Sequence, residues 1–123
     1  MREIKIRGKD YKNKWRYGDL VQEKWGQGKA IMIKKDKTAW SVLEETIGEY
    51  TGLKDKNGKE IFEGDIVYII PEDETGVIEW DNERVRYIVI YDNIITDFDN
   101  WYGKDLEVIG NIYDNPELLE KGE

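Results

Sequence analysis

KDKNGKEIFEGDIV, residues 54–67, joins an Asn-Gly pair, a run of charges and a Gly-Asp that leads into apolar residues. Two readings compete for it: an acidic loop for a hard cation, or a turn that feeds a strand. A calcium loop of the EF-hand kind requires Gly at its sixth position and a bidentate Glu at its twelfth. Counted from Asp55, Gly58 is fourth, Glu60 sixth and Ile66 twelfth, so the ligand rhythm is absent. Asn57-Gly58 is instead the pair that supplies positive φ at both central positions of a type I′ hairpin turn. Gly64-Asp65 then opens a strand, where an Asp side chain can accept from neighbouring backbone N–H groups. The stretch reads as a joint between two β-rich halves.

Outward from this joint the pattern is of strands. Glu3-Ile4-Lys5-Ile6-Arg7 alternates polar and apolar residues, the mark of a half-buried strand with Glu3, Lys5 and Arg7 on its exposed face. A turn at Asp10–Lys14 leads to a second strand over Trp15–Val21, a third follows at Lys29–Ile33, and Trp40–Leu43 makes a short return. Beyond the joint, strands are expected over Asp65–Ile70, Gly76–Asp81, Arg84–Asp92, Ile94–Phe98 and Leu106–Tyr113. Val85, Tyr87, Val89 and Tyr91 share one face, while Ile88 and Ile90 fall on the other, so that strand is expected to be covered on both sides. In the tail, Asn115 suits a helix N-cap and Pro116 the first helical position. The fold class expected is mainly β. A basic N-terminal hairpin and meander, residues 1–53, packs on a small acidic SH3-like barrel, residues 54–123, in one compact structural unit that ends in a short helical turn.

Composition narrows the chemistry. The 123 residues include no Cys and no His, which removes disulfides, thiolate nucleophiles, Ser-His-Asp triads and Cys/His zinc sites. No apolar run approaches the roughly 20 residues of a membrane-spanning helix, and the N-terminus lacks the apolar core of a secretory signal. A cytoplasmic location without membrane contact is the expectation. The net charge of −8 is uneven: residues 1–40 carry 12 basic and 5 acidic side chains, and residues 41–123 carry 7 and 22, or +7 and −15. Such a division favours pairing between subunits, or contact of the basic part with a polyanion.

Individual motifs give little chemistry. Gly28-Lys29 resembles a phosphate loop, but Glu23 stands where the first Gly belongs and Ala30 where the hydroxyl belongs, so a hairpin loop is expected. Glu3-x-Lys5 has the residue types of a metal-dependent nuclease strand but lacks the preceding acidic residue that would complete the set, so an ordinary exposed strand face is expected. Asp97-Phe98-Asp99-Asn100 offers oxygens to a cation only in the manner of any solvated acidic loop. No catalytic, cofactor-binding or metal-binding residue is assigned. The best interaction candidate is KIRGKDYKNKWRYG, residues 5–18, in which Lys5, Arg7, Lys9, Lys12, Lys14 and Arg16 could meet phosphates while Tyr11 or Trp15 stacks on bases. The competing reading places Trp15 and Tyr17 in the core with the lysines as solvated surface.

REIKIRGKD at residues 2–10, YTGLKDKNGKEIFEGDIV at 50–67, GVIEWD at 76–81 and LEVIGNIYDNPELL at 106–119 together resemble the YopX family, small proteins of phages and prophages. The resemblance runs in order over nearly the whole chain. It departs in the lysine-rich 24–37 region and at Ile94-Ile95. It implies a β-rich fold with an SH3-like C-terminal part and no established activity, cofactor or catalytic residue. The expected function is that of a non-enzymatic phage accessory protein, homo-oligomeric and in contact with a phage or host protein; nucleic-acid binding through the basic hairpin is the alternative.

Overall fold

A computed structural model describes residues 3–101 and 103–120 of the chain. It is mainly β, as the alternating pattern requires, and divides into two compact units, Met1–Tyr50 and Thr51–Glu123.

The first unit contains β1 (Ile6–Lys9), β2 (Trp15–Trp25), β3 (Gly28–Lys35), β4 (Thr38–Ser41) and the beginning of β5 (Gly48–Lys54). All pair antiparallel, in the order β4-β3-β2-β1-β5. The tight β2–β3 connection turns at Gly26, with φ of 61°, and Gly28-Lys29 is the start of β3, as a hairpin loop demands. Register puts Lys9 opposite Trp15 and Arg7 opposite Tyr17 on one face. The apolar core, Ile31, Ile33 and Val42 with Ile6 and Ile47 packed against it, lies on the other.

This arrangement corrects the sequence reading at several positions. The first strand begins at Ile6 rather than Glu3, and Ile4 is exposed. Arg7, expected on the solvent face, is buried, with its guanidinium lying 4.5 Å over the Trp15 ring from the neighbouring strand. Trp15 and Tyr17 do share a face, but it is not the core face; Trp15 is half-buried and Tyr17 is exposed.

The second unit holds the rest of β5, then β6 (Glu60–Phe62), β7 (Asp65–Ile69), β8 (Glu74–Asp81), β9 (Arg86–Tyr91), β10 (Ile94–Asp97) and β11 (Leu106–Asn111). Five of these form an antiparallel sheet ordered β10-β9-β8-β7-β11: a four-strand meander, β7 to β10, with the fifth strand, β11, returning beside β7. A 3-10 turn, Phe98–Asn100, follows β10 and drops Phe98 into the core with Ile61, Val67, Ile69, Ile78, Val89 and Leu106. Truncating Ile78 or Leu106, both fully buried, to Ala should cost about 2–5 kcal/mol. On β9, Ile88 is buried on the face opposite Val89, while Val85 falls outside the strand in a left-handed turn conformation, φ 55°, and is exposed.

The opening stretch is a turn, though not of the expected type. Of the Asn57-Gly58 pair only Gly58 has positive φ, 81°; Asn57 does not, which rules out type I′. The Gly58 N–H donates to the Asp55 carbonyl at 3.0 Å and the Asp55 N–H to the Lys59 carbonyl at 2.8 Å. The turn is wound around the Asp55 side chain. Its Oδ1 accepts from the N–H groups of Asn57 at 2.8 Å and Lys59 at 2.9 Å, and its Oδ2 accepts from Val108 on β11 at 2.9 Å. The Lys56 N–H donates to the Leu106 carbonyl at 3.0 Å. Because β11 is an outer strand of the sheet, these bonds occupy its otherwise open edge. The edge is also bulged: Val108 faces Val67 and Gly110 faces Ile66, leaving Ile109 as the extra residue.

The tail forms a 3-10 turn, Pro116–Leu119, with Pro at its start as expected. Asn115 stands at the N-cap position, as expected, but its side chain makes no capping bond. Its Oδ1 instead accepts from the Asn111 N–H at 3.2 Å, in space left by Gly110, where a Cβ would stand 2.6 Å from that oxygen.

Asp55 is 6 % exposed. Burial raises its pKa most strongly of the single influences, but the N–H donors of Val108, Lys59 and Asn57, with the charge of Lys59, outweigh it, and the net shift is downward. The folded state therefore binds this proton less readily than the unfolded chain. The stabilisation is complete above the ordinary Asp value of about 3.9 and is lost as pH falls through the lower folded-state value. Urea denaturation of Asp55→Ala at pH 7 should show a loss of about 1–3 kcal/mol, since three part-buried backbone donors lose a charged acceptor. In Asp55→Asn, the decline of stability on acidification below pH 4 should be shallower than in the parent chain. At the αL position, Gly58→Asn should be nearly neutral and Gly58→Val should cost about 1–2 kcal/mol, because open space surrounds the site and only backbone conformation discriminates.

Candidate interaction surfaces

The loop joining β1 to β2 repeats the device of the opening stretch. Asp10 Oδ1 accepts from the N–H groups of Lys12 at 2.8 Å and Lys14 at 2.9 Å, and Oδ2 accepts from Arg16 Nε at 2.9 Å. The Asp10 N–H reaches the Lys14 carbonyl, and Asn13 takes the left-handed position, φ 69°, that Gly58 takes in the other loop. The Lys14 N–H is the largest influence on the Asp10 carboxyl and lowers its pKa. Burial opposes this, and the Arg16 and Lys12 bonds add to it, leaving the group below the usual carboxylate range.

Around this loop the six basic candidates are not brought to one exposed face. Arg7 and Lys9 are buried, their cations over the Trp15 ring at 4.5 and 5.6 Å from its centroid. Arg16 lies 4.5 Å over Trp40 while bonding to Asp10. Lys5 is half-buried, 3.3 Å from the Glu3 carboxylate and 5.9 Å from the Tyr50 centroid. Lys12 and Lys14 are exposed at the loop, beside exposed Tyr11. Desolvated cation–π contacts are worth up to about 2 kcal/mol, so the guanidinium of Arg7 and the ammonium of Lys9 are committed to Trp15. Strand alternation alone could not reveal this, because it follows from the Lys9↔Trp15 register.

The carboxylates are similarly committed to backbone. Asp65, almost fully buried, accepts from the Phe62 N–H at 2.7 Å and holds the 62–65 turn. Asp81 accepts from the Glu83 N–H at 2.9 Å and from Arg84. Burial pushes its pKa up, but these bonds together pull it down further. In the Asp97–Asn100 loop, Asp97 accepts from Arg86 at 2.7 Å and Phe98 is in the core. That ion pair is about half exposed on both sides and is worth no more than about 1 kcal/mol. Among the described residues no three carboxylates gather to hold a metal ion, and no helix is long and apolar enough to cross a membrane.

An open groove of about 790 Å³ lies in the second unit where β9 ends. Pairing of β8 with β9 stops at Val77↔Ile90, and the chain turns away at Asp92-Asn93, both with positive φ. Val77, Ile90 and Tyr91 contribute apolar lining, and Leu118 and Leu119 contribute further apolar lining from the C-terminal 3-10 turn. Those two leucines are 39 and 40 % exposed. Asp73, Glu74, Asp92 and Glu120 are the charged residues of its lining, all acidic. Asp73 Oδ1 accepts from the Tyr68 hydroxyl at 2.6 Å, a bond that leads the causes raising the tyrosine pKa. The sequence reading took PELL only as a helical turn; the signal it carried was two adjacent leucines in a turn too short to bury both.

Comparison with known proteins finds similarity along nearly the whole chain. The family model for YopX protein matches residues 5–120. Among solved structures, the crystal structure of protein EF1440 from Enterococcus faecalis is similar at a TM-score of 0.58 and 28% identity, covering 98% of this chain and 100% of that one. The crystal structure of protein yopX from Bacillus subtilis is similar at a TM-score of 0.57 and 20% identity, covering 100% of both chains. No curated protein matches the chain.

Lys12→Ala and Lys14→Ala should leave the urea midpoint of the chain within about 0.5 kcal/mol of its original stability, as exposed loop changes do. Trp15→Ala should cost about 1–3 kcal/mol, since it removes a half-buried ring and strips the cover from two cations.

Proposed function

The chain belongs to the YopX protein family, and on that premise we propose that it is a non-enzymatic accessory protein of a phage or prophage. In this reading it acts in the host cytoplasm by binding a phage or host protein, without a cofactor, and associates with copies of itself. The observation that carries the reading is the contrast between its polar and apolar groups. Buried or half-buried Asp10, Asp55 and Asp65 accept from backbone N–H groups of their own loops, so they are positioned as structural acceptors rather than acid–base groups. Large apolar side chains, in contrast, are left open on the acidic unit at Ile94, Ile95, Leu118 and Leu119. The +7 and −15 division of charge supports self-association. The strand order β10-β9-β8-β7-β11, with a 3-10 turn after β10, supports treating the second unit as an SH3-like module.

The alternative, nucleic-acid binding by the basic hairpin, retains exposed Lys12 and Lys14 with Tyr11 beside them. Two phosphate contacts give a shallow salt dependence and weak affinity. Anisotropy titration with labelled DNA and RNA over a salt series separates the readings. The proposal expects no binding at physiological ionic strength and a mass above the monomer by light scattering. Tight binding that falls steeply with salt, and that Lys12→Ala with Lys14→Ala abolishes, would establish the alternative instead.

A further inference from the structure

Three features of the groove beside β8 specify an occupant. Its lining is apolar on two sides, from Val77 and Ile90 of the sheet and from Leu118 and Leu119 of the C-terminal turn. Its charged lining residues are acidic throughout: Asp73, Glu74, Asp92 and Glu120. Glu74 and Thr75 of β8 lie beyond the last β8–β9 pair, Val77↔Ile90, and pair only with Ile69 and Tyr68 of β7, while Gly76 still abuts Val89 and Ile90; a short extended segment at the groove therefore lacks a β9 partner. Among the described residues no three carboxylates converge to hold a metal ion, and an acidic rim repels phosphates and nucleic acid.

We propose that this groove binds an extended cationic-amphipathic peptide segment of a partner protein. Aliphatic side chains of the peptide enter between the two leucines and Ile90, and flanking Lys or Arg side chains meet Glu74, Asp92 and Glu120. Edge addition of an extended segment, with pockets for alternate side chains, is an established recognition mode. The inference rests on the reading of the chain as a protein-interaction module and names the chemistry of its partner. A second copy of this chain fits less well. Its basic strand residues Arg7, Lys9 and Arg16 are stacked on its own tryptophans, and β1 and β2 are paired along both edges.

The test is anisotropy of a fluorescein-labelled heptapeptide that alternates Lys or Arg with Leu or Ile, titrated with the full chain. Two control peptides replace the basic residues by Glu or the aliphatic residues by Ser. Three variants are compared after checking that their urea midpoints match the parent: Leu118→Glu and Glu74→Lys in the groove, and Glu83→Lys in the exposed β8–β9 turn. The expected result is saturable binding of the first peptide alone, weakened at least about tenfold by each groove variant and less than about twofold by Glu83→Lys. Absence of saturable binding overturns the proposal, as does equal binding of the Ser peptide or equal weakening by Glu83→Lys, which would mark general attraction to an acidic surface. An oligomer that Leu118→Glu converts to monomer, without peptide binding, assigns the groove to a second copy and overturns it too. A defined protein partner retained equally by the parent chain and Leu118→Glu would overturn the groove assignment while leaving the interaction-module reading standing. A monomer that binds nucleic acid tightly would remove that reading itself.

Discussion

The Asp55 carboxylate is the constraint on which the second unit depends. One side chain satisfies two N–H groups of its own turn and the Val108 N–H of an outer strand fifty-three residues later. Without a negative acceptor at that point, the bulged edge of β11 would present an unpaired donor inside the fold, and buried unpaired donors cost more than formed bonds gain. The Gly-Asp that follows extends the same logic: Asp65 closes the 62–65 turn from the inside, and the Gly64 N–H and carbonyl bond to Ile78 and Ile112. Within KDKNGKEIFEGDIV, then, each Asp is an organiser of backbone, and the acceptor capacity of both is turned to the fold's own amides.

The first unit uses the same solution with different residues. Asp10 with Asn13 and Asp55 with Gly58 build loops of one kind: an Asp that accepts from the N–H groups two and four residues on, closed by a left-handed fourth residue. Asn and Gly are the residue types that tolerate that conformation at least cost. The third arm differs. Asp55 reaches a distant backbone N–H, whereas Asp10 takes Arg16 and holds it against Trp40. That difference turns one loop into a long-range tie and the other into the base of a cation–aromatic stack, and it explains why the basic hairpin has less free charge than its composition suggests.

Much of the β architecture was legible in the residues. Alternation located β7 to β9 and β11 to within a few positions, and Val89 and Ile88 on opposite faces followed directly from it. What alternation misjudged were positions governed by neighbours far along the chain. Arg7 looked exposed because its own strand alternates, yet the Trp15 ring of the neighbouring strand lies against its guanidinium. Asn57-Gly58 looked like type I′ because the pair favours it, yet the Asp at the loop's first position selects a turn with one left-handed residue. Asn115 does hold the N-cap position, yet Gly110 opened a place for its side chain beside Asn111, so the side chain bonds there rather than capping. The groove was invisible for the same reason: Leu118 and Ile90 are separated by twenty-eight positions and meet only through the sheet. The basic candidates were found as residues, but their distribution between buried stacks and exposed loop was set by register.

Amide hydrogen exchange, followed by NMR, tests the central claim most directly. If the Asp55 carboxylate ties its turn to β11, the Val108 amide exchanges only through global unfolding, with protection equal to that of the core amides of β7. A Val108 amide that exchanges as freely as those of the exposed Glu83–Val85 turn would show that the tie is not formed and would contradict the account.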